Sequence, residues 1–238
     1  MLIGCSHGTG SGPGRAAVRS ILDDVRSRRP DLDVREAFVD VQQPDVAHVL
    51  ALIPADAPVV VVPLLLSGGY HVHVDIAAAV AHRPGSTAAR PLGPDPRVTR
   101  LLFARLGAAG AKRGDAVVLA AAGSSDPRAG ADVDRLADAV RREWDGDVSV
   151  GFGAIATPSV PDAVAAARAR GARRVVIASY LLAPGRFRDR LLDAGADLVT
   201  RPLAPDPVLA DIVLDRFAEA APRPVPRTDD APDDGRTP

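Results

Sequence analysis

Apolar positions along the chain follow two alternating rhythms. Continuous β-branched and aliphatic runs at Val34–Val39, Val59–Leu66, Ala116–Ala121, Val148–Phe152 and Val175–Leu182 read as strands buried on both faces. A further short strand ends near Cys5. Between them, 15–28, 45–53, 98–109, 131–142 and 160–170 carry apolar residues at helical spacing, which predicts amphipathic helices. Strand–helix alternation predicts an α/β fold, a parallel sheet flanked by helices.

The pattern is written twice. The segment 90–96, RPLGPDP, returns as RPLAPDP at 201–207. VVVVPLLLSGGYHVHVDI, from Val59, resembles VVIASYLLAPGRFRDRLL, from Val175, and His7-Gly8-Thr9 corresponds to Ala122-Gly123-Ser124. A duplicated α/β unit follows, with domains expected at 1–112 and 113–221. The Gly-rich junction 108–115 is expected to be a hinge. After Ala221 the composition turns to PRPVPRTDDAPDDGRTP, and 222–238 is expected to be a disordered tail. The first unit opens almost inside its strand, as a start codon placed too late would leave it.

Composition narrows the classes. With 238 residues, 47% apolar and a formal net charge of -1, the chain has a core to build and no electrostatic reason to bind nucleic acid. Aromatics are only 3%, so Ala, Val and Leu must fill that core. Lys112 is the only lysine, so positive charge is carried by arginine, which grips carboxylates in a bidentate fork. Cys5 is the only cysteine, which leaves no cysteine-based metal site, and it reads as a buried small residue. No apolar run approaches the roughly 18 residues of a membrane span, and no leader pattern precedes the first strand. The expected setting is the cytoplasm, with no membrane partner.

Three segments bring chemistry to the carboxyl edge of the sheet, where ligands bind in such folds. The first, SHGTGSGPGR from Ser6, is a glycine-rich loop running into a helix near Arg15. It lacks the lysine of a phosphate-binding P-loop. Its G-x-G-x-x-A fragment at Gly12 starts too far from the strand for a dinucleotide fingerprint, and Asp40 comes later than the usual spacing of about 20 residues. Histidine phosphatases place arginine before such a histidine, where this chain has Ser6.

The second segment is Ser67-Gly68-Gly69-Tyr70-His71-Val72-His73-Val74-Asp75. His7 and His71 leave the same edge from strands that would be neighbours in a flavodoxin-like order. Two converging imidazoles can bind a first-row metal or accept protons near neutral pH, although a lone loop histidine is usually just solvated. The place of His73 depends on where the helix begins. Asp75 reads as a helix cap as readily as a chemical group. His48 and His82 read as solvent-facing. The third segment, AFVDVQQP, delivers Asp40, a carboxylate able to ligate a metal or orient an imidazole.

Taken together, SHGT, AFVDVQQPDV and PLLLSGGYHVHVDI resemble the sirohydrochlorin chelatases of the CbiX and SirB type. The resemblance covers nearly the whole chain ahead of the tail, duplication included. It implies two tandem flavodoxin-like domains, each a parallel four-stranded sheet flanked by helices, with a tetrapyrrole in the cleft between them. It implies ATP-independent insertion of Fe2+ or Co2+ into sirohydrochlorin, for sirohaem or cobalamin, with the metal as substrate and no resident cofactor. His7 and His71 take the catalytic positions with Asp40, where many relatives carry glutamate. The metal ligands expected are His7, His71 and His73. Gly8, Thr9, Ser67, Gly68, Arg186 and Arg188 are expected to bind substrate. The second half has lost the histidines, His7 being matched by Ala122 and His71 by Phe187, so one active site is expected. A monomer or weak dimer suffices. The rival readings are a nucleotide-binding α/β enzyme and a tetrapyrrole or metal carrier without turnover.

Overall fold

The computed structural model of the chain describes residues 1–222. Its first half runs β1 (Leu2–Ser6), α1 (Gly12–Arg28), β2 (Val34–Phe38), α2 (Val46–Ala51) and β3 (Val59–Pro63). A π-helical turn, His71–Ile76, then leads into α3 (Ala77–Ala81), β4 (Ser86–Ala88) and α4 (Pro96–Ala108). The second half runs β5 (Ala116–Ala121), α5 (Pro127–Glu143), β6 (Val148–Phe152), α6 (Val160–Ala169), β7 (Val175–Tyr180), α7 (Arg186–Leu192), β8 (Leu198–Val199) and α8 (Pro207–Ala220). The strands form two parallel four-stranded sheets, ordered β2-β1-β3-β4 and β6-β5-β7-β8. This is the α/β architecture the sequence predicts. The expected tail, apart from Pro222, lies outside the described residues.

The short edge strands β4 and β8 escape sequence reading because neither has an apolar run long enough to signal a strand. The helices α3, α7 and α8 are not predicted either, and helix starts differ. α1 begins at Gly12 rather than near Arg15, because Ser11 caps it and Pro13 sits in its first turn. The same device, Asp before Pro, opens α4, α5 and α8 at Asp95, Asp126 and Asp206. Gly14 therefore lies in a helix, where its role is steric. A Cβ there would stand 2.4 Å from the Pro184 carbonyl oxygen, so glycine lets the two halves touch.

Each sheet comes from one half of the chain, but the helix closing each half crosses to the other sheet. α4 packs on β7 and α5, and α8 returns to β3 and α1. The largest core is therefore shared, with Val60 and Val62 of one sheet and Val117 and Leu119 of the other joined through these helices. Two arginines lock the exchange with matching bonds. Arg105 on α4 donates to the carbonyls of Pro202 and Leu203 and pairs with Asp206. Arg216 on α8, 1% exposed, donates to Pro91 and Leu92 and pairs with Asp95 at 2.9 Å. A buried guanidinium is tolerable only when so fully bonded.

Candidate active site

Parallel strands deliver their following loops to one edge, and that edge faces the other half across a cavity of about 1220 Å³. This exceeds the roughly 300–1,000 Å³ of ordinary ligand pockets and suits a large ligand. His7 follows β1 directly, Asp40 lies two residues beyond β2, and His71 opens the π-helical turn after β3. The loop after β1 is pinned by Thr9 N–H, which donates to Gln42 Oε1 at 2.8 Å.

The imidazoles of His7 and His71 meet edge to face, ring centroids 4.8 Å apart. Each has its own carboxylate. Asp40 Oδ2 lies 3.6 Å from His7 Nε2, both side chains well exposed. Asp75 Oδ2 lies 2.6 Å from His71 Nδ1, and this pair is half-buried. Asp75 is thus the residue the sequence reading undervalued. It does not open the helix but sits inside it, one turn beyond His71, and that i, i+4 spacing was the available signal. The hydrogen bond assigns Nδ1–H of His71 to the carboxylate and leaves its Nε2 with the free electron pair.

The other expected residues divide. Gly8, Thr9, Ser67, Arg186 and Arg188 line the cavity. Gly68 does not: it is buried, and its N–H is committed to Asp132 Oδ2 at 2.6 Å. His73 is not brought to the histidine pair either, its Nε2 lying against Gly68 beside Asp132. Residues two apart on a helix diverge, which separates His73 from His71. Among the described residues no group of three His, Cys, Asp or Glu closes round a metal position. His48 and His82 are exposed, as read from the sequence.

The facing wall is apolar and basic. Phe187, the counterpart of His71, lines the cavity with the Arg190 guanidinium 5.9 Å from its ring centroid. Four arginines line the cavity, and among the described residues none of Arg15, Arg186, Arg188 and Arg190 is ion-paired. Of the lining acids, Glu36 and Asp126 are neutralised by Arg19 and Arg128, which leaves Asp134 alone unpaired among the described residues. The cavity therefore carries net positive charge, with Arg186, Arg188 and Arg190 on the wall facing the two imidazoles and Arg15 on their own side. Ser6 Oγ, buried at its floor, has no hydrogen-bond partner among the described residues. Cys5 stands beneath, its thiol pushed up to about 12 by burial and by Asp75, and it takes no part in the cavity.

Comparison with known proteins bears on this arrangement. The family model CbiX matches residues 1–109 and again 116–220. A curated sirohydrochlorin cobaltochelatase from Methanothermobacter thermautotrophicus is 28% identical over 130 residues, covering 44% of this chain and 91% of that one. Among solved structures, SirB from Bacillus subtilis with Fe3+ is similar with a TM-score of 0.76 at 20% identity, covering 92% of this chain and 94% of that one. CbiX, described as the terminal enzyme of sirohaem biosynthesis in denitrifying bacteria, gives a TM-score of 0.67 at 19% identity, covering 93% and 99%. No helix of the described residues is long and apolar enough to cross a membrane.

Proposed function

This chain belongs to the CbiX family, and on that premise we propose that it inserts Fe2+ or Co2+ into sirohydrochlorin, the metal being a substrate and ATP playing no part. One observation carries the reading of the site: two imidazoles 4.8 Å apart, each with a carboxylate, face Arg186, Arg188 and Arg190, unpaired among the described residues, across one cavity.

Metallation requires the macrocycle to lose two pyrrole protons while the metal sheds water. His71 suits the first task. Its Nε2 can accept the two protons in turn, releasing the first to solvent before it takes the second, and Asp75 stabilises the imidazolium formed each time. His7 and Asp40 suit the second. Nε2 and Oδ2 stand 3.6 Å apart, which matches two ligands on one ion with bonds of about 2.1 Å. Such an open pair delivers a metal rather than storing it. Tyr70 and Phe187 offer ring faces to the macrocycle, and Arg15, Arg186, Arg188 and Arg190 answer its peripheral carboxylates. His73 has no part in this reading.

The repeats are taken as 1–112 and 113–221. Because the duplication supplies both walls of the cleft, a monomer suffices, and the proposed location is the cytoplasm. The test is metallation of sirohydrochlorin by Co2+ or Fe2+, followed by the spectral change of the macrocycle. His7→Ala and His71→Ala should each abolish turnover. If both metallate at the wild-type rate the mechanism is wrong, and if the wild type binds the macrocycle without turnover the protein is a carrier.

A further inference from the structure

The two halves hold each other's loops, and they do so unequally. Gly69 of the first half packs against Ser124 and Ala129, and Gly185 of the second against Thr9. Aligning the repeats pairs Ala17 with Asp132, Gly68 with Pro184, Leu66 with Leu182 and Leu64 with Tyr180. Where the second half grips the first, Asp132 Oδ2 accepts Gly68 N–H at 2.6 Å, and the Tyr180 hydroxyl donates to the Leu66 carbonyl at 2.5 Å. In the reverse direction neither bond can exist. Ala17 has no carboxylate, Pro184 no N–H and Leu64 no hydroxyl.

These two polar groups are costly where they stand. Asp132 is 7% exposed on the inward face of α5, where its counterpart is alanine and its other oxygen pairs with Arg135, and Tyr180 is 2% exposed at the end of β7. Tyr180 also needs Gly93, since a Cβ there would lie 2.2 Å from its hydroxyl, whereas the counterpart of Gly93 is Ala204. Both bonds converge on the stretch leading to the π-helical turn. The carbonyl of Gly69 accepts the first bonds of that turn, from Val72 N–H at 3.1 Å and His73 N–H at 3.2 Å. The orientation of the 66–69 backbone therefore sets the direction in which His71 leaves the sheet. Of the two matched loops, only the one leading to His71 is tied this way.

We infer that Asp132 and Tyr180 are positioning residues for His71, acting from the half that has lost its own histidines. The inference rests on the proposed metallation for its catalytic consequence, but not for its structural one. Two measurements on the full chain separate them: hydrogen exchange at the Gly68 amide without substrate, and steady-state metallation of sirohydrochlorin by Co2+. Asp132→Ala should speed Gly68 exchange at least about tenfold and lower kcat about 10–100-fold, with KM for sirohydrochlorin held within about twofold. Asp132→Asn keeps an oxygen acceptor and should restore kcat to within about threefold of wild type. Asp197→Ala removes a comparable carboxylate bond, to Val175 N–H at the far end of β7. It should lower Tm and leave kcat unchanged. A folded Asp132→Ala with wild-type kcat, or an Asn variant no better than Ala, overturns the inference. Should Asp132→Ala not fold, Tyr180→Phe decides: slower turnover at unchanged KM supports the role, and wild-type turnover ends it. If the wild type does not metallate sirohydrochlorin, the functional reading falls, while Gly68 exchange still reports whether Asp132 holds the loop.

Discussion

Asp75 grips His71 from one turn further along the same helix, Oδ2 to Nδ1 at 2.6 Å. Asp40 stands off His7 at 3.6 Å. The two histidines are therefore differently equipped, one held in a fixed tautomer and the other loosely paired and well exposed.

Removing the tighter carboxylate should hurt turnover more than binding. Asp75→Ala is expected to lower kcat for metallation about 10–100-fold with little change in KM for sirohydrochlorin, because it frees the imidazole without touching the cavity wall. Steady-state kinetics check this, and a rise in KM alone would contradict it.

The cavity arginines should show the opposite split. Arg186→Gln with Arg188→Gln is expected to raise KM for sirohydrochlorin about tenfold and leave kcat within about twofold. The wild-type KM should also rise with salt, since exposed charge pairs are screened. A salt-independent KM in the wild type would remove these residues from substrate recognition.

Asp95 anchors the exchanged helices. Burial works to raise its pKa, but hydrogen bonds from Arg97 and Arg216 outweigh that and hold it at about 2. A carboxyl depressed in the folded state contributes stability that is complete above its unfolded pKa of about 3.9 and is lost as pH falls toward the folded value. Asp95→Asn is therefore expected to cost about 2 kcal/mol at pH 7, or about 6 °C in Tm. Thermal melts should show this deficit shrinking between pH 4 and pH 2, and a deficit independent of pH would refute the ion pair.

Cys5 should be silent. With its thiol buried in β1 and pushed up to about 12, iodoacetamide is expected to leave the native protein unlabelled and to react once it is unfolded. Mass spectrometry distinguishes the two, and labelling of the native fold would show that β1 opens.

Much of the site was legible along the chain because strand ends carry it. In a parallel sheet every strand ends at the same edge, so His7, Asp40 and His71 could be gathered from pattern alone. The wall arginines followed from the repeat, since Arg186 and Arg188 occupy the segment matched to GGYHVHVD. Asp75 was harder to see. Its meaning depends on whether 71–76 is helix, and a six-residue π-helical turn after two glycines has no distinctive period. Gly68 was misjudged for a related reason: an exposed-looking Ser-Gly-Gly turn is in fact covered by α5.

By itself the sequence determined the two parallel sheets and brought the candidate histidines to one edge, because these depend on periodicity and on residue type at strand ends. Tertiary structure alone decided which helix covers which sheet, which carboxylate serves which imidazole, and that Asp132 and Tyr180 reach the histidine loop from the other half. Those are long-range contacts fixed by packing and by the need to pair buried polar groups. No local pattern carries that information, since Asp132 looks like any helical acid until the N–H of Gly68 stands beside it.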